Sequence, residues 1–273
     1  MSLPFALNHM TCPGLGWQAF VDLAAELGCV GVEFRNDLKT PLFDGADPEM
    51  VGAAVKARGL RFLALAEVKM FNDWSDAKAA EAEALMQIAV AAGAEAVSLI
   101  PRNDGVATDR ADSRRVTQTA LREILPMLRA HGLKAMVEPL GFEVCSLRYK
   151  DILADVIDAV GGEGTYFIVH DTFHHHLAGG GAMFPDMTGI VHVSGVVDPD
   201  VAVADMRDPH RVLVDGRDRL GNVAQIAALR DGGYTGPISY EPFAPSVHAM
   251  PDPRAALLAS MDDIRQGVAA RAA

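Results

Sequence analysis

Short apolar runs alternate along the chain with longer stretches of helical period, and the alternation repeats eight times. Residues 5–9 read as a strand, and 17–27 read as a helix stopped by Gly28. A second strand covers 30–34. The helix over 47–58 follows, with Pro48 in its first turn and Gly59 past its end. A third strand at 61–66 precedes an Ala- and Glu-rich helix over 76–92, and a fourth at 96–100 precedes a helix over 109–130. The fifth strand is 133–137, with a helix over 147–160 ended by Gly161 and Gly162. Tyr166-Phe-Ile-Val opens the sixth strand, whose β-branched and aromatic residues suit burial on both faces. It stops abruptly at Asp171, followed by His174, His175 and His176. The seventh strand is 189–193, a long polar loop leads to a helix over 222–230, and strand 237–240 precedes a last helix over 253–268.

Eight strand-then-helix units with glycine stops predict a closed parallel α/β barrel, a single (β/α)8 TIM barrel over residues 1–273. No Ser/Gly linker or break in composition divides the chain. The turn Cys12-Pro-Gly-Leu-Gly-Trp17 is too short for the G-x-G-x-x-G of a dinucleotide site, so no such cofactor is expected.

Half of the 273 residues are hydrophobic and 6% are aromatic, a composition of close-packed strands and covering helices. The formal charge of −12, with no Lys/Arg cluster, argues against a nucleic-acid partner. Cys12, Cys29 and Cys145 have no C-x-x-C spacing, and free thiols in a reducing cytosol are expected. Residues 1–5 lack a basic segment followed by an apolar one, and no apolar run reaches the roughly 18 residues of a bilayer span. The expectation is a cytoplasmic protein with no membrane partner. Association with further copies of itself stays open.

In a barrel of this kind the functional residues sit at the C-terminal strand ends. There the sequence offers Glu33 and Arg35 on strand two, Glu67 after strand three, Glu138 after strand five, Asp171 on strand six, His192 on strand seven and Glu241 after strand eight. Alternation lets a carboxylate just past an apolar run point into the mouth. Taken singly, each has a bland role, a helix cap for Asp171 or a rim ion pair for the others. Taken together, Glu138, Asp171, His192 and Glu241 offer three carboxylates and one imidazole, a set that suits one divalent ion, Mn²⁺, Mg²⁺, Co²⁺ or Zn²⁺.

Four segments, Val137-Glu138-Pro-Leu-Gly-Phe142, His170-Asp171-Thr-Phe-His174-His-His176, Val191-His192-Val-Ser-Gly195 and Tyr240-Glu241-Pro-Phe243, resemble the metal-site motifs of the xylose-isomerase-like TIM barrel superfamily. Within it they are most similar to the branch of 2-keto-myo-inositol isomerase and related sugar isomerases and epimerases. The resemblance implies a metal held by Glu138, Asp171, His192 and Glu241, with His174 facing the substrate. Related ketose epimerases carry a Glu six residues after the first metal Glu and an Arg six after the metal His. Here those positions are Val144 and Asp198, which leaves Arg148 or Arg211 to contact substrate.

The implied function is isomerisation or epimerisation of a keto-polyol or keto-sugar, a keto-inositol first among them, through a metal-stabilised enediolate. Glu138 and Glu241 act as its catalytic acid and base. Arg35 and Glu67 line the mouth or form a rim ion pair, and His175 and His176 are expected at the surface, or one of them packed under the loop. The long loop over 196–220 is expected to close as a lid carrying Arg211. A sugar dehydratase using His174 or Lys69 as acid is the enzymatic alternative. An AP-endonuclease-like barrel and a non-catalytic sugar-binding barrel are more distant ones.

Overall fold

The computed structural model describes residues 3–106 and 108–271. Met1 and Ser2, part of the stretch read for a leader, lie outside the described residues. Eight strands, β1 (Phe5–Asn8), β2 (Gly31–Arg35), β3 (Arg61–Lys69), β4 (Ala96–Ile100), β5 (Lys134–Val137), β6 (Tyr166–Asp171), β7 (Thr188–Val193) and β8 (Ile238–Tyr240), pair in parallel in chain order and close between β8 and β1. The helices are α1 (Trp17–Glu26), α2 (Pro48–Ala57), α3 (Asp76–Ala91), α4 (Arg110–His131), α5 (Lys150–Val160), α6 (Thr172–Leu177), α7 (Asn222–Asp231), α8 (Pro245–His248) and α9 (Arg254–Arg271). This is the (β/α)8 TIM barrel that the alternation predicts. Among the described residues no helix is long and apolar enough to cross a membrane.

Local chemistry sets the helix ends where the sequence places them. The side chains of Asp47, Ser75 and Asp109 accept hydrogen bonds from first-turn amides of α2, α3 and α4. Gly132 and Gly161 close α4 and α5 in the left-handed conformation that costs a side-chain-bearing residue most. Two elements differ from expectation. Strand β3 runs on to Lys69, past the predicted end at 66, because Val68 resumes the buried alternation after Glu67. Helix α5 begins at Lys150 rather than 147, because Ser146 and Leu147 are drawn into the protein, Ser146 by Asn72, whose Nδ2 donates to its hydroxyl at 2.9 Å.

Alternation along the strands divides the interior into two layers. Outward residues such as Phe5, Val32, Phe34, Val97, Val137 and Ile168 pack under the helices in the main core. Ala6, Leu63, Ala96, Met136, Val169 and Ile190 form a separate apolar plug. The same inward parity continues toward the C-terminal ends with Asn8, Glu33, Glu138, Asp171, His192, Ser239 and Glu241, all buried. The apolar plug thus carries a polar floor.

Phe34 anchors the outer layer beside that floor, with ring centroids of Phe20, Phe43 and Phe62 at 5.3, 5.2 and 5.1 Å. Phe34→Ala should cost about 3–5 kcal/mol, read from the shift of the urea unfolding midpoint. A loss below about 1 kcal/mol would show that the cluster repacks around the gap.

Candidate metal centre

One ligand atom each from Glu138, Asp171, His192 and Glu241 lies within 4.8 Å of the others, and all four residues are buried. Three elements of geometry bring them together. Asp171 pairs in register with His192 on β7, His192 pairs with Ser239 on β8, and Glu241 and Glu138 follow the last residues of β8 and β5. Asp171 is also the N-cap of α6, its Oδ1 accepting from the His174 amide at 2.9 Å. The cap and the ligand readings therefore use different oxygens of one carboxylate, since Oδ2 turns to the centre.

A carboxylate absent from the predicted set fixes the imidazole. His192 Nε2 lies 3.2 and 3.1 Å from Glu33 Oε1 and Oε2, and Glu33 Oε1 also accepts the Ser239 hydroxyl at 2.5 Å. The sequence shows Glu33 at the end of β2, but not a partner 159 residues away. With Nε2 so engaged, Nδ1 faces Glu241 Oε2 at 3.2 Å and Glu138 Oε1 at 3.8 Å. Among the described residues it makes no hydrogen bond. A buried ring nitrogen without a partner is costly, and one aimed at two carboxylates is the donor a cation completes.

Two guanidinium groups brace the carboxylates. Arg211 Nη2 donates to Asp171 Oδ2 at 2.6 Å and to Glu241 Oε2 at 3.1 Å, while its Nε donates to Ser194 Oγ at 2.9 Å. The group lies between the rings of Phe173 and Phe243, 5.0 and 4.5 Å from their centroids. Arg35 Nη1 donates to Glu241 Oε1 at 2.6 Å, and its other nitrogens engage Asp37 at 2.7 and 2.8 Å and Glu67 at 3.5 Å. These two cations face the carboxylates of Glu33, Asp37, Glu67, Glu138, Asp171 and Glu241. Negative charge stays in excess, and a divalent cation would relieve it. The donor set and the unpartnered nitrogen together fit such an ion.

Protonation is split across the site. Burial pushes the Glu138 carboxyl up to about 7, only partly opposed by His192. Burial also works to raise Glu241, but His192, Arg211 and Arg35 outweigh it and hold that carboxyl well below the usual range. For His192, burial is outweighed by Glu241 and Glu33, and the imidazole is raised well above its ordinary value. Burial keeps Glu67 raised and His174 lowered.

The remaining predicted residues divide into two groups. Arg35, Glu67, His174 and Arg211, with Glu138 and Glu241, line a cavity of about 290 Å³ over the centre. Arg148 does not line it. Its guanidinium turns to the other side of α6, where Nη2 donates to Leu177 O at 3.0 Å. Of the two histidines expected at the surface or with one packed under the loop, His175 is buried and lies against His170 with ring centroids 4.8 Å apart. The loop over 196–220, read as a lid, is hydrogen-bonded to its surroundings over part of its length. Gly195 and Val212 exchange two backbone hydrogen bonds of 2.7 and 2.8 Å, the Phe243 and Ala244 amides donate to Arg211 O, and Asp218 accepts from the amides of Val196, Leu220 and Asn222. Residues 211–220 thus form one wall beside the mouth, while most of the stretch from Asp198 to Asp205 is exposed.

Glu33→Gln should weaken Mn²⁺ or Zn²⁺ binding by about 10–100-fold while leaving the fold intact, as measured by competition with a chelating dye. Unchanged affinity would remove Glu33 from its orienting role. Affinity should also climb as pH rises through neutrality, since a cation must displace protons held by Glu138 up to about 7 and by His192 above its usual range. Calorimetry in buffers of different ionisation enthalpy reads those released protons directly.

Comparison with known proteins agrees with this architecture. The family model of the xylose isomerase-like TIM barrel matches residues 21–266. No curated protein matches the chain at a significant level. Among solved structures, a xylose isomerase domain containing protein from Salmonella typhimurium LT2 superposes with a TM-score of 0.87 at 28% identity over 100% of both chains. The IolI protein with a bound zinc atom gives 0.85 at 17% identity, covering 98% of this chain and 99% of that one. D-Psicose 3-epimerase from Clostridium cellulolyticum H10, solved with D-tagatose, gives 0.74 at 17% identity over 97% and 99%. With nine-tenths of its length matched by the family model, the chain belongs to the xylose isomerase-like TIM barrel family.

Proposed function

We propose that the protein is a divalent-metal-dependent isomerase or epimerase of a keto-polyol or keto-sugar, with a keto-inositol as the first candidate substrate. The observation that carries this is the convergence of Glu138, Asp171, His192 and Glu241, with one ligand atom from each within 4.8 Å of the others, beneath a cavity lined by hydrogen-bonding groups. The zinc-bearing IolI protein and the tagatose-bound epimerase, which share the fold, support the reading.

Glu138, Asp171, His192 and Glu241 would hold the ion. Bound there, it acts as a Lewis acid that polarises a ketone and stabilises the charge left when an α-proton departs. The rest falls to the chain's own side chains. Glu138 and Glu241 flank the cavity floor, and one takes the carbon-bound proton while the other returns a proton to the neighbouring carbon. Arg35 and Arg211 keep Glu241 ionised and hold it in place. His174 and Glu67 offer hydrogen bonds to hydroxyl oxygens, and Phe243 presents an apolar face to a ring. At about 290 Å³ the cavity sits at the small end of ligand sites and suits one sugar or polyol ring.

The test is a product screen of keto-inositols, ketopentoses and ketohexoses with Mn²⁺ or Co²⁺, run in D₂O, with Asp171→Ala as the metal-site control. Solvent deuterium in an isomerised product, lost together with bound metal in the variant, is the expected result. Product that has lost water would move the assignment to a dehydratase. Turnover without label would demote the two-carboxylate proton transfer.

A further inference from the structure

A second cavity, of about 350 Å³, lies on the flank of the mouth between the start of α5 and the glycine run 179–181. We propose that it binds a phosphate group, held by Arg148, Lys150 and the N-terminal turn of α5.

The cations here are poorly compensated in a chain whose net charge is −12. Arg110 is neutralised by Asp151, its partner across the cavity rim, and stacks over Tyr149 at 4.9 Å. Arg148 flanks the same ring at 5.5 Å, donates through Nη2 to one backbone oxygen, and leaves its Nε buried without a hydrogen-bond partner among the described residues. Lys150 pairs with no carboxylate among the described residues. Its Nζ donates to His170 Nδ1 at 2.6 Å, a nitrogen kept free to accept because His170 Nε2 donates to Gln225 Oε1 at 2.8 Å. Burial pushes the Lys150 ammonium down to about 7, as expected of a cation that lacks a counter-charge.

Backbone and shape favour the same ligand. Helix α5 has eleven residues, and among the described residues no side chain caps its first turn, whose Asp151 lines the cavity and is taken up by Arg110. Across from it, Gly179, Gly180 and Gly181 adopt φ of 88°, 82° and 112°, which brings bare backbone to the rim. His174 is 4% exposed and lines both this cavity and the mouth, and its Nδ1 has no hydrogen-bond partner among the described residues. A fixed cationic fork, a lysine and a helix N-terminus around one space are the donors a phosphate needs. Because His174 is a shared wall, the phosphate is either carried on the ligand in the mouth or enters as a free ion.

The test is direct and independent of the reaction proposed above. Titration of inorganic phosphate into the full chain by calorimetry should show one saturable site. Lys150→Gln and Arg148→Gln should each weaken it by about tenfold or more, the loss expected for one charge-assisted hydrogen bond. Glu138→Gln, in the mouth, should leave it unchanged. Protection of Lys150 from acylation by phosphate, read by mass spectrometry on the unaltered chain, covers the case in which a variant fails to fold. Competition separates the sources. A ketose phosphate that displaces inorganic phosphate where the free ketose does not assigns a substrate-borne group, and lack of displacement assigns a free ion. No saturable binding, binding indifferent to both substitutions, or binding lost only in Glu138→Gln would overturn the site.

Discussion

The pair of contacts between Glu33 and His192 Nε2 decides which ring nitrogen looks into the barrel. An imidazole offers one lone pair in its neutral form, and a carboxylate behind it selects both tautomer and orientation. Glu33 is itself held by Ser239, and both sit one register step below residues that line the mouth. Were Glu33 apolar, Nε2 would lose its partner and the ring its fixed orientation. The rest of the site depends on this choice, because Glu138, Asp171 and Glu241 are arranged around Nδ1.

Charge then has to be shared out in a space that excludes water. Arg35 and Arg211 each bind Glu241, from opposite sides and through different oxygens. Neither reaches Glu138. The result is two carboxyl groups of unlike acidity a few ångströms apart, which is what a reaction that removes a proton at one carbon and delivers one at the next requires. The aromatic rings of Phe173 and Phe243 enclose Arg211 and keep its charge from being screened.

Periodicity made the barrel legible, because parallel strands buried on both faces leave continuous apolar runs that end where the chain meets the mouth. Glu138, Asp171, His192 and Glu241 were legible for the same reason. Glu33 stood in view at the end of a strand, yet nothing local distinguishes an inward carboxylate that braces a histidine from one at the rim. The two arginines offered as substrate contacts show the same limit. Arg148 and Arg211 both stand in loops that follow a strand, but the hydrogen bonds of 211–220 to Gly195, Val196, Phe243 and Ala244 bring Arg211 to the centre, while Arg148 turns to Leu177 O. The burial of His175 and the extension of β3 through Glu67 depend likewise on how the short α6 and the β3–β4 pairing settle in three dimensions.

Closure between β8 and β1 carries one more consequence. The hydrogen bond from Asn8 to Glu241 spans 233 residues, and that from Arg35 to Glu241 spans 206. On the ribosome the first strands emerge long before their last neighbour exists, so nascent intermediates hold an open sheet edge and an incomplete set of ligands. The four residues of the centre come together only once the ring has closed.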